Sequence, residues 1–290
     1  MTARVAVLGA GTMGHGIAQV AAMAGYQVSV VDSLPQLARS GLDRIRVNLD
    51  AGVARGKVDA ADVAAHMSRL SVAPSLDSAC AGADIIIEAV PERLELKRDV
   101  LERAERAASE TALLATNTSS LSIGAMQQWL ARPGRFIGLH FFNPVHINSL
   151  VEVVRGPATD ETTLAEALEL VRRIGKEAVV VNDSPGFATS RLGVLLGLEA
   201  MRMVEDGVAS AADIDRALVL GYGHPMGPLR LTDLVGLDVR LDIARYLHRE
   251  LGGEHFRPPR MLEDMVAAGL LGRKTGRGFY EWGAGERRSG

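Results

Sequence analysis

From Val5 to Val181 the chain alternates short, continuous apolar runs with longer stretches of helical periodicity. Val5 to Leu8 and Val28 to Val31 are β-branched runs, and the Ala-rich segment between them, Met13 to Ala24, suits a helix. Strand, helix and strand in that order are the pattern of a βαβ unit. Helical stretches continue at Leu34 to Val53 and Leu94 to Ala107. Strand candidates continue at Ile85 to Ala89, Leu113 to Ala115, Phe136 to Leu139, Val151 to Val154 and Ala178 to Val181. Runs without polar alternation are buried on both faces, as in a mostly parallel sheet covered by helices on either side. The expected fold class is α/β, with a doubly wound N-terminal domain.

The pattern changes at Asn182-Asp183-Ser184-Pro185-Gly186, a cluster of turn residues. Beyond it helical stretches follow at Phe187 to Glu205, Ala211 to Leu220, Leu229 to Leu251 and Arg260 to Ala268. Ser210 and Asp213 have the spacing of a capping box. The expected division is therefore residues 1–184 and a second, smaller all-α domain at residues 185–290. That domain is rich in Leu and Met, and an apolar face left over would serve self-association as a homodimer. The last residues, Gly285 to Gly290, are expected to fray.

At 290 residues and 47% hydrophobic the chain can bury a full core. A net charge of -3 argues against broad nucleic-acid or membrane-surface binding. The apolar stretch Phe187 to Val204 is interrupted by Arg191, Glu199 and Arg202, so it reads as a buried helix and not as a membrane span. Cys80 is the single cysteine, which excludes an internal disulfide and fits a reducing, cytoplasmic setting. No signal-peptide pattern precedes the first strand.

Between the first strand and helix, Gly9-Ala10-Gly11-Thr12-Met13-Gly14 fits G-x-G-x-x-G. The first glycine permits a tight turn, the second lets backbone approach a pyrophosphate, and the third lets helix and strand pack closely. The helix start then offers free N–H groups to phosphate. Alone the motif is weak, but strand, helix and a closing acid frame it as a Rossmann-type dinucleotide site. Asp32 lies 18 residues past Gly14, where an acid accepts from ribose hydroxyls and repels a 2'-phosphate. NAD is expected over NADP. The alternative for Asp32 is a helix N-cap before Ser33-Leu34-Pro35.

The segment Leu139 to Glu152 ends one apolar run on His140 and places Glu152 inside the next. That order permits a pair in which the acid fixes the ring tautomer and the ring moves a proton. A base beside a nicotinamide is the minimum machinery for oxidising an alcohol.

Several ordered segments resemble the L-3-hydroxyacyl-CoA dehydrogenase family, and the bacterial 3-hydroxybutyryl-CoA dehydrogenases in particular. They include Asn117-Thr118-Ser119-Ser120, His140-Phe141-Phe142-Asn143-Pro144, Pro185-Gly186-Phe187, His224-Pro225-Met226-Gly227-Pro228 and Gly272-Arg273-Lys274-Thr275-Gly276. The likeness runs from Arg4 to about Trp282. It implies NAD-dependent interconversion of (S)-3-hydroxyacyl-CoA and 3-ketoacyl-CoA, with short chains expected and the helical domain closing the acyl pocket.

By the same resemblance His140 is the base, Glu152 its partner, Ser119 a contact to substrate and nicotinamide, and Asn143 part of the surrounding polar network. Glu92, Lys97, Asn117 and the late Lys274 would contact the cofactor. Asn48 and Arg55 match family CoA contacts, and Arg44, Arg46 and Lys57 add cations that flank the same helix. The plainer alternatives are a satisfied structural histidine for His140, a solvated strand carboxylate for Glu152, an N-cap for Ser119, a turn for Asn143, a charged helix start for Glu92 and Lys97, a solvated loop lysine for Lys274, and a solvated helix face for the CoA candidates. Ser190 stands where the family has Asn, and Asn148-Ser149 where it has Met-Lys, so acyl preference stays open. Two other readings also stay open: a dehydrogenase of a non-CoA hydroxy acid or sugar acid, and a non-catalytic NAD-binding structural protein. No His, acid or Cys spacing suggests a metal site.

Overall fold

The computed structural model describes residues 3–283; the expected fraying at Gly285 to Gly290 falls outside them. The chain divides into two compact units, meeting at Asp183 and Ser184.

The first unit runs β1 (Arg4–Leu8), α1 (Gly14–Met23), β2 (Gln27–Val31), α2 (Pro35–Ala54), α3 (Val63–Ser68), β3 (Leu70–Val72), α4 (Leu76–Cys80) and β4 (Ile85–Glu88). It continues with α5 (Leu94–Ala107), β5 (Leu113–Thr116), α6 (Ile123–Gln127), β6 (Phe136–Phe141), β7 (Leu150–Arg155), α7 (Glu161–Arg173) and β8 (Glu177–Asn182). One sheet of eight strands takes the order β3-β2-β1-β4-β5-β6-β7-β8. Pairs are parallel except β6 with β7. The order reverses between β1 and β4, which is where open α/β sheets form a ligand crevice at the carboxyl ends of their strands.

Alternation sorts each strand's side chains between two faces. Val5, Val7, Ile87, Leu113, Ala115, Ile137 and Leu139 join residues of α1, α2 and α7 in one apolar cluster. The opposite face meets α4, α5 and α6. The strands are buried as expected except β8, an edge strand on which Val179 and Val180 remain exposed. Cys80 is fully buried, and burial pushes its thiol up to about 12, the behaviour of a packing residue.

The second unit contains α8 (Thr189–Glu205), α9 (Ala211–Tyr222), α10 (Pro228–Val235), α11 (Leu237–Leu251) and α12 (Arg260–Ala267) around a Leu- and Met-rich core. Ser210 caps α9 by accepting from the Asp213 N–H at 3.1 Å. The single helix expected over Leu229 to Leu251 is two helices. Gly236, at φ 108°, breaks it, a conformation closed to most L side chains. The helix expected from Phe187 starts at Thr189, because Phe187 itself sits at φ 49°. Among the described residues no helix is long and apolar enough to cross a membrane.

Candidate active site

At the carboxyl ends of the strands flanking the switch point lies a cavity of about 1130 Å³. Gly9, Gly11, Thr12, Met13, Asp32, Glu92, Asn117, Ser119, His140 and Asn143 all line it. One fold feature thus gathers residues from five separate loops and strand ends.

The glycines divide their labour. A Cβ at Gly9 would sit 2.7 Å from the Ala89 carbonyl oxygen, and one at Gly14 would collide with the Gly9 carbonyl at 1.8 Å. Neither position admits a side chain. At Gly11 a Cβ would meet no atom within 4 Å, so the missing side chain leaves open space above the turn. Met13, the N-cap of α1, makes no side-chain capping bond. The helix start therefore leaves N–H groups and a partial positive charge for an anion. These features fit a dinucleotide's pyrophosphate.

Asp32 accepts from the Ala10 N–H at 2.8 Å and from the Ser33 N–H at 2.7 Å, so it pins the glycine turn to the end of β2. It is not a helix cap: α2 begins after Leu34, without a side-chain cap. Arg44 lines the same cavity and donates to the Ala10 carbonyl at 2.5 Å. Its place is thus with the glycine turn.

His140 and Glu152 face each other directly across the antiparallel β6–β7 pair. Directly opposed residues in such a pair share a sheet face and bring their side chains into contact. The His140 Nδ1 donates to Glu152 Oε2 at 2.7 Å, with Glu152 fully buried and the His140 side chain 9% exposed. The alternative of a solvated strand carboxylate is thereby excluded for Glu152. Phe142 packs against the imidazole at a ring-centroid distance of 4.4 Å. Asn117 Oδ1 accepts from the Phe141 N–H at 2.9 Å, bracing the strand beside the histidine. Asn143 and Ser119 are exposed on the cavity rim.

Glu92 joins two loops: it accepts from the Thr118 hydroxyl and from the Ser119 N–H at 3.2 Å. Its second oxygen lies 3.1 Å from Lys97 Nζ. Lys97 does not line the cavity. It is fully buried, donating to both Glu88 oxygens at 2.8 and 2.9 Å. Glu88 also accepts from Thr116 and from the Val90 N–H, at 2.5 and 2.7 Å. Burial raises the Glu88 carboxyl above its usual range, and the Lys97 charge opposes that rise. Sequence reasoning missed Glu88, although an acid closing the run Ile85-Ile86-Ile87 was a signal.

Other expected residues lie elsewhere. Asn48 donates to the Gln19 side chain at 3.0 Å, and Arg55 ends α2 in an exposed position. In the second unit Ser190 occupies the first turn of α8, and Lys274 pairs with Asp238 at 2.5 Å.

Residues 4–184 match the family described as "3-hydroxyacyl-CoA dehydrogenase, NAD binding domain", and residues 186–282 its C-terminal domain. The chain is 43% identical over 279 residues to a probable 3-hydroxybutyryl-CoA dehydrogenase of Bacillus subtilis, covering 96% of this chain and 97% of that one. It is 40% identical to a 3-hydroxyadipyl-CoA dehydrogenase of Escherichia coli, across 97% of this chain and 59% of the relative. The crystal structure of an (S)-3-hydroxybutyryl-CoA dehydrogenase from Ralstonia eutropha superposes with a TM-score of 0.94 at 39% identity, covering 98% of this chain and all of that one. A glycine turn shaped for a dinucleotide, an opposed His–Glu pair at its cavity and matches over both units agree: the chain belongs to the 3-hydroxyacyl-CoA dehydrogenase family.

Proposed function

We propose that this chain interconverts (S)-3-hydroxyacyl-CoA and 3-ketoacyl-CoA with NAD, acting on short acyl chains such as 3-hydroxybutyryl. The observation carrying the reading is the buried His140–Glu152 pair beside the cavity.

Glu152 occupies Nδ1 as acceptor, so Nε2 is the nitrogen that takes the proton from the 3-hydroxyl. As the ring becomes cationic, the opposed carboxylate stabilises it without moving. Ser119 and Asn143, on the rim, hydrogen-bond the substrate oxygen and hold the carbinol toward the ring. Bound NAD supplies the hydride acceptor. Gly11, Thr12 and Met13 hold its phosphates through the start of α1, and Asp32 takes the ribose hydroxyls and disfavours a 2'-phosphate. Glu92 and Asn117 complete that wall. Lys97 acts by fixing Glu92 from behind, and Lys274, Asn48, Arg55 and Ser190 remain the candidates for outer cofactor and acyl-CoA contacts.

The second unit leaves Leu192 and Leu196 of α8 and Leu220 and Tyr222 of α9 exposed, an apolar surface that supports a homodimer formed through these helices. The decisive assay follows absorbance of reduced nicotinamide with acetoacetyl-CoA. A flat trace at high enzyme concentration, with NADH demonstrably bound, would refute catalysis.

A further inference from the structure

Glu88, the last residue of β4, is fully buried and lines no part of the cavity. Its side chain is nevertheless linked to the cavity rim. Both oxygens accept from Lys97 Nζ, at 2.8 and 2.9 Å, and Lys97 in turn lies 3.1 Å from Glu92 Oε2. The other Glu92 oxygen accepts from the Thr118 hydroxyl and, at 3.2 Å, from the Ser119 N–H. Thr118, itself buried, takes the Leu121 N–H on its own oxygen at 3.0 Å. Four side chains thus run unbroken from the end of β4 to the main chain of Ser119.

The backbone of Glu88 makes a second link. Its carbonyl accepts from the Asn117 N–H at 2.7 Å, and Asn117 Oδ1 accepts from the N–H of Phe141, the residue after His140. The Glu88 carboxylate is held from other directions too, by the Thr116 hydroxyl at 2.5 Å and the Val90 N–H at 2.7 Å. With those anchors it cannot follow Lys97, so the ammonium is kept between two acids. Were Glu88 neutral, Glu92 would be the carboxylate left to hold that ammonium. A desolvated cation attracts its remaining anion strongly, and Glu92, with its side chain 36% exposed, is free to be drawn inward. That movement takes its other oxygen away from Thr118 and Ser119.

We propose that Glu88 is a positioning residue for the reaction: through Lys97, Glu92 and Thr118 it fixes the main chain of Ser119 at the cavity. The inference rests on the dehydrogenase reading above, in which Ser119 meets the substrate oxygen. A misplacement of about 1 Å in a group that orients substrate can cost about 10²-fold in rate. The buried end of the relay therefore matters although it touches no reactant. Stability alone does not account for the pair, because a buried ion pair is often no more stabilising than apolar residues of the same volume.

The test is a double-mutant cycle in kcat/KM for acetoacetyl-CoA with NADH, using Glu88→Gln, Thr118→Val and the two combined. Each single change is expected to lower kcat/KM by about tenfold or more, the scale of one charged hydrogen-bonded contact. Acting through one relay, the combination should be no worse than the poorer single variant, to within about twofold. Independent roles would instead multiply the two losses. Where Glu88→Gln folds poorly, the neutral pair Lys97→Met/Glu88→Gln takes its place in the cycle. That pair should recover most of the lost Tm and keep the loss of activity, a split that a purely structural role would not produce. Hydrogen exchange over residues 118–121, followed by mass spectrometry, should quicken in the same variants, and this readout needs no turnover. Multiplied losses, wild-type kcat/KM in Glu88→Gln, or unchanged exchange over residues 118–121 would overturn the inference. Quickened exchange together with a wild-type protein inactive on acetoacetyl-CoA would uphold the relay and sink the dehydrogenase reading instead.

Discussion

Replacing Lys97 by Met tests whether this lysine is a buried structural cation. Lys97 and Glu88 are both fully buried, so solvent does not screen their pairing. Removing the cation leaves Glu88 with its Thr116 and Val90 donors, so the carboxylate is not stripped bare. Breaking a buried pair from one side costs about 3–5 kcal/mol, a large share of a typical folding free energy of about 5–15 kcal/mol. For a unit of this size that corresponds to a fall in Tm on the order of 10 °C. The loss must depend on pH. Burial already raises the Glu88 carboxyl, and losing Lys97 raises it further. A carboxyl raised on folding holds a proton that the unfolded chain releases, so its stabilising contribution is greatest in acid and fades as pH climbs from the ordinary carboxyl range through the raised value. Thermal melts followed by circular dichroism should therefore show a smaller deficit at pH 5 than at pH 8. Adding Glu88→Gln should recover most of the deficit at pH 8. A Lys97→Met protein as stable as wild type at pH 8, with weakened NADH binding, would refute the assignment and return Lys97 to the cofactor.

Further substitutions separate the site's parts. His140→Gln should lower kcat by roughly 10²–10⁴ while leaving NADH affinity, read by fluorescence titration, nearly unchanged. Gly11→Ala should weaken NADH without shifting Tm, since a Cβ there meets no protein atom, whereas Gly14→Ala should destabilise the first unit through its collision with the Gly9 carbonyl. Asp32→Ala should weaken NAD and narrow the gap to NADP in kcat/KM, because the acid both accepts from ribose and repels phosphate.

Much of this was legible because long elements repeat their pattern several times. The helix from Leu94 to Ala107 was placed residue for residue, and the buried strands to within two residues at either end. The short elements were not. β3, α3, α4 and α6 span three to six residues each, too few to complete a recognisable period. Gly236 could have been read as a break, but isolated glycines are tolerated inside helices and the flanking pattern ran on. At the site, motif order located the glycine turn and the His–Glu pair. It did not reveal that the Lys97 side chain turns inward, because whether a helix-borne lysine faces solvent or core depends on which acid the neighbouring strand presents.

The parity of that sheet explains why the chemistry sits where it does. In register across the central strands, Val7, Ile87, Ala115 and Ile137 form one row, all inside the apolar cluster, and the next row holds Leu8, Glu88, Thr116 and Gly138. His140 is two residues past Gly138 and shares its face, with Glu152 opposite. Among the described residues of this unit, the fully buried charged groups Glu88, Lys97 and Glu152 and the imidazole of His140 thus lie on one side of the sheet and at its carboxyl edge, while the buried polar side chains of α1 and α7 are the neutral Gln19 and Thr163. The antiparallel turn of β7 is what delivers Glu152 there. A slip of one residue would place Val151 or Val153 against the imidazole and drive the carboxylate into the apolar side, unpaired. The energy that holds β7 in register is therefore the same energy that holds the base in one tautomer, and a strand-pairing error would be read directly as lost proton transfer.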